Sequence, residues 1–125
     1  MLEELSVVQA DAFLQARADL GTQTSHLALS AEGIVVTAST DPGEAARGYI
    51  HDFHGGMIKL VGDRGRKVLV GATLVTPRAG EILGELILAV KAGTPLSTLG
   101  DVIHPYPAFN RVLGAVLQEL ASKAA

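Results

Sequence analysis

Two short stretches of this sequence combine side chains capable of acid–base or metal chemistry. The first, VIHPYPAFNR at residues 102–111, places His104 and Tyr106 two residues apart, each followed by a proline. Proline fixes φ and keeps the preceding residue extended, so the two rings should stand at a fixed angle ahead of a helix N-terminus. The partial positive charge there favours anions and a neutral imidazole. The stretch therefore has two interpretations: a rigid corner that only leads into the last helix, or a site that presents Tyr106 and His104.

The second stretch, HDFHGG, places His51 and His54 three residues apart. On a helix these two side chains would face one metal ion, but a zinc site needs further ligands, and the two glycines indicate a loop. We expect solvated histidines here and no metal site. A small metal enzyme built on this pair is the remote alternative.

Composition narrows the chemistry further. The 125 residues suit a single domain, 1–125, and 48% of them are hydrophobic, which is enough for a core. The absence of cysteine excludes a disulfide or a thiolate within this chain. No GxGxxG or phosphate-loop spacing occurs, so we expect no cofactor bound by this chain alone. A net charge of −3 and few aromatic residues give no reason to expect nucleic-acid binding.

The chain shows no sign of a membrane or export segment. No apolar run reaches the roughly 18 residues that a membrane helix requires. The first residues carry acids and no basic n-region, so a secretory signal is not expected. The cytoplasm is the expected location.

The elements that must position the corner can be predicted from pattern. The run ELSVVQA predicts a short strand, and DAFLQARADLG and TSHLALSAEG predict helices. IVVTAST predicts a strand closed by the turn DPGE, and GGMIKLVG and RKVLVGATLVT predict a hairpin around DRGR. A long helix should end at Gly93, and a short one should follow with Thr94 as N-cap and Pro95 at its first position. The last helix should open at Pro107. These elements predict an α+β fold, an antiparallel sheet with helices packed on it.

The long predicted helix, RAGEILGELILAVKAG, has an unusual apolar distribution. Its apolar residues surround most of the helix: Ile82, Leu83, Leu86, Ile87, Leu88 and Val90. A helix that is apolar on most sides must be covered on most sides, so we expect a second subunit or domain against it. Burial by its own chain is the alternative. Glu81 and Glu85 share a face, and we expect them to be solvated, or paired to Arg78 or Lys91, instead of forming a catalytic pair.

The second half of the chain resembles a known domain over residues 56–107. GMIKLVGDRGRKVLVGATLV, AGEILGELILAVK, TLGD and the His/Tyr-Pro corner occur in the order found in the C-terminal interface (dimerisation) domain of the pyridine nucleotide–disulfide oxidoreductases. This family includes lipoamide dehydrogenase, glutathione reductase and mercuric reductase. Residues 6–50 fit the pattern more weakly.

The resemblance implies a homodimer in which FAD- and NAD(P)-binding domains belong to the same parent enzyme. FAD and NAD(P)H would be cofactors of that parent, and the interface domain would complete the partner's active site. The family's segment there is His-x-His-Pro-Thr-x-Ser-Glu, whose second histidine is the acid/base and is oriented by the glutamate.

At that segment the chain departs from the family pattern. Tyr106 stands at the position of the second histidine and Arg111 at that of the glutamate, while His104 matches the first histidine. Ala108 and Asn110 replace the threonine and serine. A phenol keeps its proton at neutral pH and is a poor proton shuttle. The Pro-Tyr pair is closer to mercuric reductase-like members, although the tail LASKAA lacks their cysteine pair.

Two functions follow as hypotheses. The first is the interface domain of a flavin- and NAD(P)H-dependent oxidoreductase, inactive alone, with Tyr106 and then His104 as candidate catalytic residues. The second is a free-standing dimerisation or regulatory module that has lost the redox chemistry.

Overall fold

The computed structural model describes residues 5–9, 35–50, 52 and 55–125. Within them the elements run β1 (Leu5–Gln9), β2 (Val35–Thr40), a 3-10 helix (Pro42–Glu44), α1 (Ala46–Ile50), β3 (Met57–Asp63), β4 (Val68–Val75), α2 (Ala79–Ala92), α3 (Leu96–Gly100) and α4 (Arg111–Ala124). The predicted α+β class is confirmed. The two helices predicted from DAFLQARADLG and TSHLALSAEG lie outside the described residues.

The four described strands form one antiparallel sheet in the order β1-β4-β3-β2. Its centre is the predicted hairpin of β3 and β4, closed by the loop 64–67. The carboxylate of Asp63 stabilises this loop, since Oδ1 accepts the Arg66 backbone N–H at 2.8 Å and Oδ2 accepts Arg66 Nε at 2.9 Å. Lys67 adopts positive φ, 56°, which turns the chain back into β4.

One face of the sheet carries the hydrophobic core. Alternation along the strands turns small and aliphatic residues to the same side, because side chains of a strand point to opposite faces in turn. Helix α2 lies over β4 and β1, and α4 lies over β2 and β3, so the two long helices cover this face. The strand residues buried in the core are Val36, Ala38, Ile58, Leu60, Leu69, Ala72 and Leu74.

Helix α2 ends as predicted and is covered on one side. Gly93 adopts φ 62° and its backbone N–H bonds to the last carbonyls, the geometry that favours glycine after a helix. The core side of the helix is formed by Ala79, Ile82, Leu83, Leu86 and Ala89. Ile87 and Leu88, on the other side, are 50% and 67% exposed. The sheet therefore covers one side of α2 and leaves apolar side chains uncovered on the other.

Two predicted helix starts are wrong. The short helix α3 begins at Leu96, one residue later than predicted. Pro95 is its N-cap, because the ψ of 139° at Pro95 is extended and not helical. The last helix begins at Arg111, four residues after Pro107. Residues 107–110 form turns, in which Ala108 and Phe109 accept bonds from the N–H groups three residues on. Because these bonds span three residues and not the four of an α-helix, the regular helix starts only at Arg111.

The apolar period of the last helix is confirmed. Its core contacts are made by Phe109, Leu113, Val116, Leu117 and Leu120, with Val112 partly buried. At its far end Lys123 Nζ donates to the Thr37 carbonyl at 2.9 Å, which ties α4 to β2. Across the described part of the chain, no helix is long and apolar enough to cross a membrane.

Candidate functional site

The corner segment, residues 102–110, connects α3 to α4. Its start is held by the Val102 N–H, which bonds to the Leu99 carbonyl, and by the Gln118 amide of α4, which donates to the Gly100 carbonyl at 3.0 Å. Its end is held by Phe109, which is buried in the core. The Tyr106–Pro107 peptide bond is cis. Fixed at both ends and stiffened by two prolines, the segment has a defined path across the surface.

His104 turns inward from this corner. Its side chain is only 4% exposed, and Nε2 lies 2.8 Å from Oε2 and 3.0 Å from Oε1 of Glu85 on α2. An ionised carboxylate has only acceptors, so Nε2 carries the hydrogen and donates it. A charged acceptor makes this a strong hydrogen bond, and the imidazole is shielded from water, whereas the Glu85 side chain is 30% exposed.

Tyr106 turns outward, two residues later. Its side chain is 69% exposed and stands against Arg111, whose guanidinium carbon lies 5.2 Å from the ring centroid. This distance is within the range of a cation–π contact. Arg111 also donates from an Nη atom to the His104 carbonyl at 3.2 Å. One arginine therefore touches both candidate residues, but their rings point to different environments.

Sequence reasoning missed Glu85 as a member of this site. Glu81 behaves as predicted, since Arg78 donates to its carboxylate at 3.0 Å on the surface. Glu85, one turn later, contacts neither Arg78 nor Lys91 through any described ion pair and instead faces His104, 19 residues away in sequence. Two features of the sequence could have indicated this pair. Glu85 is a carboxylate on a helix with few polar positions, and His104 lies in a loop stiffened by prolines.

The corner residues also line two surface grooves. One contains Tyr106, Ala108 and Arg111 together with Asp41 and Glu44 near the 3-10 helix. The other brings Arg47 and Arg78 towards Pro105 and Asn110. Both grooves combine charged side chains with apolar ones such as Pro105 and Ala108.

The metal candidates His51 and His54 lie outside the described residues. Among the residues that the structure describes, no group of three or more His, Cys, Asp or Glu side chains converges as a metal site would require. No metal ligation is therefore assigned to the corner.

The described strands do not fit a dinucleotide site of their own. Such sites lie at the carboxyl edge of a parallel sheet, where a glycine-rich turn leads from strand to helix. Every described strand pair is antiparallel, and the sequence has no GxGxxG.

Comparison with known proteins identifies related sequences. Dihydrolipoyl dehydrogenase from Thermus scotoductus is 39% identical over 69 residues, which cover 55% of this chain and 15% of that protein. The enzyme of the same name from Vibrio parahaemolyticus is 33% identical over 85 residues, covering 67% and 18%. The chain thus spans less than a fifth of the length of these relatives.

Solved structures show the same architecture. LpdA from Mycobacterium tuberculosis superposes with a TM-score of 0.69 at 19% identity, covering 78% of this chain and 21% of that one. The Cu(II) complex of the HOCl-induced flavoprotein disulfide reductase RclA from Escherichia coli gives 0.69 at 20% identity, covering 78% and 22%. The family model described as "Pyridine nucleotide-disulphide oxidoreductase, dimerisation domain" matches residues 21–116. The resemblance inferred from the motifs is confirmed, and the chain belongs to the dimerisation-domain family of the pyridine nucleotide–disulfide oxidoreductases.

Proposed function

We propose that this chain is the interface domain of an FAD- and NAD(P)H-dependent oxidoreductase and that it pairs with a second copy of itself. The observation that carries the proposal is the division of α2 into two apolar sides. Leu86 is fully buried against the sheet, whereas Ile87 and Leu88 are 50% and 67% exposed. Large aliphatic side chains on the open side of a helix are typical of a surface that another protein covers.

The chain's part in the parent enzyme is to present the corner segment to the partner. Ile103 is 93% exposed and Tyr106 also lies on the surface, so these side chains are free to meet another subunit. The Pro105-Tyr106 pair makes this corner mercuric reductase-like. Tyr106 is the first candidate for contact with substrate, because His104 is held inside by Glu85.

The isolated chain is proposed to have no redox activity. FAD and NAD(P)H would be held by the other domains of the parent, and neither nucleic acid nor a membrane is expected as a partner. The acidic balance and the family's enzymes fit a cytoplasmic protein.

A free-standing dimerisation or regulatory module is the second candidate, and the role of Arg111 favours it. At the position where the family has its histidine-orienting glutamate, Arg111 donates to the His104 carbonyl and lies over Tyr106. A guanidinium has no acceptor and so does not orient an imidazole by accepting its proton. The corner of such a module would keep its shape without the family's chemistry.

Sedimentation velocity on the full chain tests the pairing. The wild type is expected to sediment as a dimer, and Leu88→Glu should shift it towards monomer while keeping its helical circular dichroism. Ser122→Glu, an exposed change near the end of α4, is the matched control and should leave the dimer intact. A wild-type monomer over the micromolar range would refute the proposal.

Leu86→Ala separates association from folding. Because Leu86 belongs to the core, its truncation should lower the free energy of unfolding by about 2–5 kcal/mol in any association state. Loss of dimer in Leu88→Glu without such destabilisation assigns the exposed side of α2 to the interface.

Two further observations separate the candidate functions. Mixing the chain with FAD and NADH should give neither flavin binding nor NADH oxidation, and turnover would refute the proposed inactivity. An upstream reading frame that encodes GxGxxG and a Cys-x4-Cys pair would favour the oxidoreductase, whereas its absence would favour the module.

A further inference from the structure

The hydrogen bond between His104 and Glu85 connects the corner segment to α2. Glu85 lies in the middle of α2, and His104 lies in the corner segment 19 residues later. Both Glu85 carboxylate oxygens lie within 3.0 Å of His104 Nε2, and the His104 side chain is 4% exposed. Breaking this bond would leave a buried donor without its acceptor, which is more costly than the loss of a surface contact.

The same residue is held from the opposite side by α4. Arg111 donates to the His104 carbonyl, and Gly114 lies beside the ring, where an added Cβ would make an ordinary contact of 3.6 Å with Nδ1. His104 is thus fixed by its ring to α2 and by its backbone to α4. The corner has little freedom to rotate at this residue.

What is fixed at His104 determines the direction of Tyr106. Pro105 and Pro107 restrict φ on both sides of the tyrosine and hold the residues before them extended. A change in the backbone angles at His104 would therefore also move Tyr106, two residues later. Arg111 completes the arrangement by placing its guanidinium over the ring at 5.2 Å.

We propose that Glu85 is a positioning residue that aims Tyr106 at the surface by holding His104. That this positioning serves a subunit interface rests on the proposed function. The effect of Glu85 on the corner segment depends on this chain alone. In this arrangement a carboxylate on α2 supports the corner, while the start of α4 carries Arg111 where the family pattern has its glutamate.

Substitution of Glu85 tests this role, with Glu81 as the matched control. Glu85→Gln keeps the size of the side chain and removes its charge, and Glu85→Ala removes the contact. Glu81→Gln makes the same change one turn earlier, at a surface carboxylate paired with Arg78. Circular dichroism should remain that of the wild type in Glu85→Gln and Glu81→Gln.

Tyrosine-selective NMR gives a readout that general destabilisation does not produce. The chain has two tyrosines, and the exposed Tyr49 serves as the internal reference for Tyr106. In Glu85→Ala the ring resonances of Tyr106 should shift, because the ring leaves its position under Arg111, while those of Tyr49 stay in place. Glu85→Gln keeps an acceptor oxygen, so its shift should be smaller. Glu81→Gln should leave both tyrosines unchanged.

A double-mutant cycle measures the pair directly. Glu85→Ala and His104→Ala should each raise the unfolding equilibrium constant at least tenfold, because alanine at either position removes a hydrogen bond to a charged group. The double variant should lose about the same as one single variant, because both changes remove one interaction.

The wild type alone provides a further check that needs no variant to fold. Long-range 15N–1H spectra should show that Nε2 of His104 carries the hydrogen. An Nδ1-only proton, unchanged Tyr106 resonances in Glu85→Ala, or equal changes in Glu81→Gln would each overturn the positioning role. A monomeric wild type in sedimentation would overturn the proposed function and leave this role standing.

Discussion

Replacing Gly114 with alanine should stabilise the protein, although the residue lies directly against the candidate site. Gly114 is inside α4, where glycine is about 0.8–1.0 kcal/mol less favourable than alanine. The added Cβ would lie 3.6 Å from His104 Nδ1, an ordinary van der Waals contact. Neither the ring nor the helix has to move, so the helix gain should appear almost in full. We expect an unfolding equilibrium constant lower by roughly fivefold and a melting temperature higher by about 4 °C.

Valine at the same position should have the opposite effect. Its branched side chain reaches one bond further and meets the imidazole, which Glu85 prevents from retreating. We expect a loss of about 1–3 kcal/mol from overpacking. Gly84 of α2 provides the control within one chain, because no atom lies within 4 Å of a Cβ built there. It shares a helix face with Ile87 and Leu88, so its variants are compared at a protein concentration at which the chain is monomeric. Alanine should be stabilising at position 84 as well, and valine should be tolerated.

Urea denaturation followed by circular dichroism at 222 nm measures these four variants. Titrations at two protein concentrations separate fold stability from association, since a dimer gains stability with concentration. The packing described for the corner would be refuted if Gly114→Ala lowered the midpoint. It would also be refuted if Gly114→Val were tolerated as well as Gly84→Val.

Three other predictions concern the hairpin and the core. Burial acts to raise the pKa of Asp63, but hydrogen bonds from Arg66 and its charge outweigh this and lower the pKa below the ordinary 3.8. The ionised carboxylate therefore stabilises the fold above pH 3.8, and this stabilisation is lost as the pH falls through the lower pKa of the folded state. In urea titrations the difference in unfolding free energy between wild type and Asp63→Asn should close below roughly pH 4. A difference that does not depend on pH would contradict the pairing of Asp63 with Arg66. Thr76→Val should raise the free energy of unfolding measured in urea by about 1 kcal/mol, because the buried hydroxyl has no partner in the described structure; a loss of similar size would reveal one. Gly48→Ala should cost about 2 kcal/mol or more in thermal unfolding, since its Cβ would lie 2.5 Å from the Pro42 carbonyl oxygen, and an unchanged melting temperature would disprove this close approach.

Local pattern was sufficient for much of the fold. Hairpin β3–β4 followed from two β-rich runs around a glycine-bearing turn, and the end of α2 followed from Gly93. Both features depend on neighbours in sequence, where propensity and turn chemistry act directly. The turn predicted at DPGE was found as a capped 3-10 helix, with Asp41 accepting the Gly43 N–H at 2.7 Å.

Features that depend on distant contacts were predicted less well. The start of α4 was placed at Pro107 because proline often opens a helix, yet the preceding turns delay it to Arg111. Which side of α2 stays open depends on where the sheet lies, and a pattern that is apolar on most sides does not encode it. The partner of Glu85 was missed because no sequence spacing relates it to His104.

The candidate site combines features that depend on local sequence with features that depend on distant contacts. The proline-stiffened corner was recognisable as rigid from its residues alone. The inward turn of His104 and the outward turn of Tyr106 depend on α2 and α4, which reach the corner only after the chain has folded. Any role of the two rings in catalysis stays a prediction.

The position of β1 at the rim of the sheet has a consequence for shortened versions of this protein. β1 pairs with the outer side of β4, while β2 pairs with β3 at the other rim. A version starting at Val35 would keep the strands and helices of the core but uncover the amide and carbonyl groups along β4. Such a bare strand is a template for fibrous or edge-to-edge aggregation. A truncated sample could therefore self-associate through the wrong surface, and pairing experiments should retain the first strand.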